Sequence, residues 1–306
     1  MAGKPGGGIV SSERVGGHPP ARSAPAAKGR AGCSPGTSGE ARSGTMESHD
    51  HEFHTTIPVR LPFRAFLPTG YSDHRDAEAW PMILFLHGSG ERGEDLAAVV
   101  RTGLPERLAR QPELPFLTIV PQCPPNLDWS MLLPALDALV SYVKRAFLVD
   151  PDRVYLTGLS MGGYGCWAFA SSHPEHFAAV APICGGGDER LDFPGRLRRM
   201  ARLPVWCFHG EQDEVVPVEE TLRLVGAFRE LGGEARCTLY PGVGHDSWTR
   251  TYDDPELYAW LLGHVRGTPA GAAEPAGGER APLGLAPQTR AERPWMAHRP
   301  PAGQEG

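Results

Sequence analysis

Between residues 55 and 266, short unbroken apolar runs alternate with longer stretches whose apolar positions recur every three to four residues. Runs of four to seven apolar residues bounded by proline or glycine are the pattern of strands buried on both faces, and the longer periodic stretches are the pattern of amphipathic helices. Segment 59–67 is predicted to be an opening strand or one half of a hairpin. Strands are predicted at 82–86, 117–120, 154–157, 178–183, 205–208 and 235–240. Pro81 and Pro204 stand just ahead of two of them, where a missing N–H is tolerated. Segment 132–148 carries apolar residues at 136, 139, 140, 143 and 147 and reads as a helix, with Pro134 in its first turn. Further helices are predicted from about Gly163, over 218–231 with a stop at Gly232-Gly233, and over 255–265. Strands alternating with helices predict an α/β domain with a mostly parallel sheet and helices on both faces.

The two ends differ in kind. The chain has 38 glycines and 31 prolines in 306 residues, concentrated in 1–54 and 267–306 together with Ala, Ser and Arg. Such segments bury too little apolar surface to offset the entropy of ordering, so both are expected to be disordered tails around one domain at 55–266. Met46 is an alternative start of the chain. The net charge of −6 points to neither nucleic acid nor an anionic membrane surface as partner. No run of eighteen apolar residues predicts a membrane span, and the N-terminus lacks the apolar core of a secretory signal. The six cysteines form no C-x-x-C pair, which fits reduced thiols in a cytoplasmic protein. His49, His51 and His54 read as part of a tail with adventitious metal affinity; no metal and no cofactor is expected.

Candidate chemistry begins at Gly158-Leu-Ser160-Met-Gly162, a G-x-S-x-G pattern in which a serine stands on a sharp turn between strand and helix. The pattern occurs twice. Gly32-Cys-Ser34-Pro-Gly36 has no strand before it, and Pro35 stands where a helix amide is needed, so Ser34 is assigned to chance and Ser160 is the predicted nucleophile. A serine nucleophile needs a base and a carboxylate that fixes the imidazole tautomer, in chain order Ser, Asp or Glu, His. Asp213 follows the 205–208 strand and His245 follows the last strand; Glu211, Glu214 and His264 are the competing positions. His264 is expected on a helix surface. His87 and His209 open glycine-containing loops at strand ends and are read as structural residues or as supports for the site. The oxyanion donors are predicted as the amides of Met161 and Ser89, with Gly88 as alternative to Ser89. Trp129, Trp248 and Tyr164 are candidate walls of a substrate pocket. Asp150-Pro-Asp-Arg153 is read as a solvated turn between helix and strand.

Four ordered motifs, Leu-His-Gly-Ser-Gly-Glu-Arg-Gly (86–93), Gly-Leu-Ser-Met-Gly-Gly-Tyr-Gly (158–165), His-Gly-Glu-Gln-Asp (209–213) and Gly-Val-Gly-His (242–245), resemble the α/β-hydrolase superfamily. Within it the chain is similar to single-domain phospholipase/carboxylesterase, "predicted peptidase" and dienelactone-hydrolase-like esterases. The resemblance implies an α/β-hydrolase fold and hydrolysis of a small-molecule carboxylic ester through an acyl-enzyme on Ser160. It departs from dienelactone hydrolases proper, whose nucleophile is a cysteine. The connection 185–203 is short and polar, so no substantial lid domain and no interfacial activation are expected. A serine peptidase or amidase on the same fold is the alternative enzyme; a catalytically silent binding module is the alternative of another class, and it would usually lack a triad member.

Overall fold

The computed structural model describes residues 60–72, 74, 78–111 and 113–268. The predicted tails, apart from residues 267 and 268, lie outside the described residues, as do Met46, Ser34 and the three tail histidines. Strands β1 (Phe63–Phe66), β2 (Trp80–Leu86), β3 (Leu117–Pro121), β4 (Val149–Leu159), β5 (Ala179–Ile183), β6 (Val205–Gly210) and β7 (Ala235–Tyr240) form one sheet. Its order is β1-β3-β2-β4-β5-β6-β7. Only the edge strand β1 runs antiparallel, against β3; the other neighbouring pairs are parallel.

Helices α1 (Leu104–Arg110), α2 (Leu133–Ala146), α3 (Met161–Ser172), α4 (Val218–Glu230), α5 (Trp248–Asp253) and α6 (Pro255–Leu262) cover both faces. On one face Leu136, Val140 and Val143 of α2, Trp167 and Phe169 of α3, and Leu224 and Phe228 of α4 form one core. On the other, Leu104 and Leu108 of α1, Tyr252 of α5, and Leu257 and Leu261 of α6 pack on Phe85 and Tyr155. Each fully buried large apolar side chain contributes roughly 1.5–3 kcal/mol. The parallel strands are covered on both sides, which is why they read as continuous apolar runs. Among the described residues no helix is long and apolar enough to cross a membrane.

Two short helices, α1 and α5, escape the periodic pattern, because elements of six or seven residues show less than two full turns of it. One expectation is corrected. Asp150-Pro-Asp-Arg153 is not a turn outside the sheet but lies within β4. Val149 pairs with Trp80 and Val154 with Met82, so residues 150–153 bulge opposite the single residue Pro81. Neither Pro81 nor Pro151 has an N–H to donate, and the ladder is interrupted where both fall. Asp150 is buried in the bulge, and its Oδ1 accepts the Asp152 N–H at 2.9 Å.

The connection 185–203 forms no separate lid domain and packs on the core. It forms two 3-10 turns, Glu189–Leu191 and Gly195–Met200, and buries Leu197 and Met200 against the core. Arg196 Nη2 donates to Ser172 Oγ at the far end of α3 at 2.5 Å.

The start of α3 lies against the end of β2. A Cβ on Gly162 would stand 1.9 Å from the carbonyl oxygen of Leu86, and one on Gly158 would stand 2.6 Å from the same atom. That atom is backbone and cannot rotate away. Gly162→Ala is therefore expected to cost at least about 2 kcal/mol of stability; urea unfolding with an unchanged midpoint would show that α3 does not sit this close to β2.

Candidate active site

The carboxyl ends of β2, β4, β5, β6 and β7 converge on one edge of the sheet, the edge where open α/β sheets bind ligands. Ser160 follows β4 and precedes α3 with φ 53° and ψ −120°, a left-handed backbone that a non-glycine residue rarely adopts. The surroundings impose it. The Ser160 N–H donates to Ile183 O at 3.0 Å, and the Ser160 carbonyl accepts the Tyr164 N–H at 3.1 Å. The hydroxyl thus stands clear of both strand and helix.

Three residues from three loops meet there. His245 Nε2 lies 3.0 Å from Ser160 Oγ, and His245 Nδ1 lies 2.7 Å from Asp213 Oδ2. Asp213 Oδ1 accepts the N–H groups of Val215 and Val216, each at 2.9 Å. Burial pushes the Asp213 carboxyl up, but the hydrogen bonds from His245, Val216 and Val215 outweigh it and hold the group below its ordinary value. An ionised Asp213 accepts from Nδ1–H and leaves Nε2 unprotonated, facing the serine. Glu211 and Glu214, the competing carboxylates, are exposed. His264 does not join the group. It follows α6, and it is half-buried against Trp260 rather than on a helix surface as expected.

His209 and His87 support this edge from beneath. His209 is fully buried; its Nε2 lies 2.9 Å from Val216 O and 3.2 Å from Asp213 Oδ2, so its N–H braces the turn that carries the carboxylate. His87 accepts the Cys123 N–H on Nε2 at 3.0 Å and donates from Nδ1 to Gly88 O at 2.6 Å. Burial lowers its pKa to about 4, which matches a neutral ring with one donor and one acceptor. The loop so fixed brings Gly88 beside Leu159: a Cβ on Gly88 would come within 2.9 Å of Leu159 Cδ1. Ser89, next in the chain, is exposed. Met161 heads α3, so its N–H has no carbonyl one turn earlier in that helix and adds to the positive end of the helix dipole. Buried Cys184 follows β5 near Asp213; burial pushes its thiol up to about 12. It is therefore a neutral thiol, and it stands with four other free cysteines among the described residues.

A cleft of about 600 Å³ opens beside Met161 and is lined by Asp128, Trp129, Ser130, Tyr164, Gly165, Gly187, Asp188, Arg190 and Glu220. Trp129 and Tyr164 are among the residues that line it; Trp129 is almost fully buried and donates its Nε1–H to His87 O at 2.9 Å. Trp248 does not line this cleft. Its ring stands perpendicular to that of His245, with centroids 5.2 Å apart. The charged lining was not anticipated. Arg190 Nη2 bridges Asp128 Oδ2 and Asp188 Oδ2, both at 2.7 Å. Residues 128 and 190 are too far apart in the chain for any local pattern to pair them.

Residues 126–259 match the dienelactone hydrolase family. The chain is similar to "Putative esterase NocK" of Nocardia uniformis subsp. tsuyamanensis, 28% identical over 157 residues, which cover 46% of this chain and 42% of that protein. It is also similar to "Putative carboxymethylenebutenolidase" of Escherichia coli K12, 31% identical over 120 residues, covering 38% and 44%. Of solved structures, a thermostable esterase matches at 36% identity with TM-score 0.59, over 68% of this chain and 60% of that one. The chain thus spans about half the length of the first curated relatives it matches.

The relay from Asp213 through His245 to Ser160 predicts a specific defect. Asp213→Asn would offer an amide N–H to Nδ1, favour the opposite tautomer and place a proton on Nε2 against the serine. Turnover should fall by about 10⁴-fold with little change in fold; a loss of less than tenfold would remove Asp213 from the relay.

Proposed function

Taking the chain as a member of the α/β-hydrolase superfamily of the dienelactone-hydrolase-like esterase kind, we propose that it hydrolyses small-molecule carboxylic esters through an acyl-enzyme on Ser160. The observation that carries this reading is the continuous relay of 3.0 Å from Ser160 Oγ to His245 Nε2 and 2.7 Å from His245 Nδ1 to Asp213. Ser160 Oγ attacks the ester carbonyl while His245 takes its proton, and Asp213 stabilises the resulting imidazolium. The amides of Met161 and Ser89, or Gly88 in its place, receive the oxyanion, and the positive end of α3 adds to their effect. The tetrahedral intermediate then collapses, and His245 gives its proton to the departing alcohol. Water attacks the acyl-enzyme with His245 as base again and releases the acid and Ser160. No metal or cofactor enters these steps, and the cytoplasm is the proposed compartment.

The thiolate chemistry of dienelactone hydrolases proper is not available with a serine at the elbow. An oxygen nucleophile depends on its base throughout, because an unassisted hydroxyl is a weak nucleophile at neutral pH. That dependence is why Asp213 and His245 are assigned roles as necessary as that of Ser160.

The cleft narrows the substrate class. Asp128, Asp188 and Glu220 bring three carboxylates; Arg190 is held by the first two and Arg223 pairs with Glu220 at 2.8 Å, which leaves negative charge in excess by one. Arg190 also holds the Asp188 carboxyl below its ordinary value, so that charge persists through the neutral range. An ester carrying its own carboxylate meets like charge there.

Short-chain p-nitrophenyl esters and a peptide anilide, assayed with wild type and Ser160→Ala, test the reaction. Ester turnover should fall by at least about 10⁴-fold in the variant. Turnover of the anilide alone would assign the machinery to amides, and turnover of neither to a silent fold. Substrate charge is read separately: an ester of equal length ending in a carboxylate should show at least about tenfold lower kcat/KM than its neutral counterpart, equivalent to 1.4 kcal/mol, and equal values would remove the cleft from substrate selection.

A further inference from the structure

At the end of α3 away from the nucleophile, the chain turns through His173-Pro174-Glu175-His176. Pro174–His176 is a 3-10 turn, closed by the His176 N–H donating to His173 O at 3.3 Å. In a 3-10 turn, side chains three apart eclipse each other. The two imidazoles accordingly lie over one another, 24° from parallel with centroids 5.9 Å apart. Phe169 packs against both rings, and Phe177 meets the His176 ring edge-on. The rings are thus held by apolar walls, not free in solvent.

Asp137 of α2 faces them. Its Oδ1 lies 2.6 Å from His176 Nε2 and 3.8 Å from His173 Nδ1. One ligand atom from each of the three residues lies within 4.8 Å of the others. Glu175 Oε1 stands 3.3 Å from His173 Nδ1. A tetrahedral ion with bonds of about 2.0–2.1 Å holds its ligand atoms about 3.4 Å apart, so small side-chain rotations bring these three onto it.

We propose that His173, His176 and Asp137 form a binding site for a divalent transition metal ion, Zn²⁺ by its donor set of two imidazoles and one carboxylate. The fourth position belongs to Glu175 or to water. The ion ties α2 to the turn after α3. α3 has twelve residues, so the site lies about 18 Å along its axis from Ser160; its role is to brace the nucleophile helix, not to take part in the chemistry. Neither the family match nor the proposed reaction calls for an ion here, and the inference stands apart from both.

The test is calorimetric titration of ZnCl₂ into the full chain after chelator treatment, with near-UV circular dichroism as the check on folding. One equivalent should bind and raise the Tm. His176→Ala and Asp137→Asn should each weaken binding at least tenfold, with His173→Gln as a further variant should either fail to fold. A triple alanine substitution of His49, His51 and His54 should leave this equivalent unchanged. Cobalt(II) in place of zinc should give ligand-field bands without a sulfur-to-metal charge-transfer band, since the other close trio, Cys184, Asp213 and His245, would add a thiolate. Binding that survives all the site variants, that disappears with the tail histidines, or that shows the sulfur band would overturn the proposal, leaving His176 and Asp137 as a hydrogen-bonded pair.

Discussion

The candidate active site depends on one close approach of backbone to backbone. The start of α3 rests on the carbonyl end of β2 with no room for a side chain between them, as the contact at Gly162 shows. That approach forces a turn too sharp for ordinary backbone angles, and Ser160 absorbs it by adopting a positive φ. The strain costs on the order of 1–3 kcal/mol and persists only because the surrounding structure over-determines it. Here the bond from Ser160 N–H to Ile183 O and the tight fit of the glycines do so. The same turn exposes the hydroxyl and leaves the first amide of the helix aimed beside it.

The relay is a consequence of that placement. Asp213 and His245 stand on loops leaving β6 and β7, and neither would be in register with Ser160 without the parallel sheet that puts the three strand ends on one edge. Asp213 is further fixed by the amides of Val215 and Val216 on one oxygen and by His209 behind the other. A buried carboxylate is costly when unpaired, so each of these bonds also favours the one geometry in which all are made. The same sheet edge carries the cleft, where charges from the loop after β3 and the loop after β5 lock together through Arg190. The Ser160–His245–Asp213 geometry and the cleft charge therefore draw on different loops, and substitutions in one are expected to leave the other in place.

Much of this was legible along the chain. Apolar runs located the strands because a doubly covered strand cannot alternate, and the apolar run before Ser160 and the helical pattern after it set it apart from the same spacing at Ser34. The exceptions have local causes. The 150–153 segment looks like a turn because it is charged and contains proline, yet it is a bulge whose place in β4 depends on Pro81 in the neighbouring strand. Trp248, the first residue of α5, packs its ring against the His245 imidazole, a contact its place in the chain does not reveal. Helix α1 holds through the burial of Leu104 and Leu108 against residues distant in the chain, which no short window records.

By itself the sequence determined the strand-and-helix alternation, the glycines at the elbow and the residue types able to act as nucleophile, base and carboxylate, since these rest on local periodicity, backbone sterics and intrinsic chemistry. Only the tertiary structure decided how they meet. The 3.0 and 2.7 Å contacts of the relay, the charged lining of the cleft and the pairing of Asp137 with the 173–176 turn join residues from 32 to 85 positions apart. Contacts over such separations follow from strand order and helix packing, and no single stretch of chain contains the information that sets them.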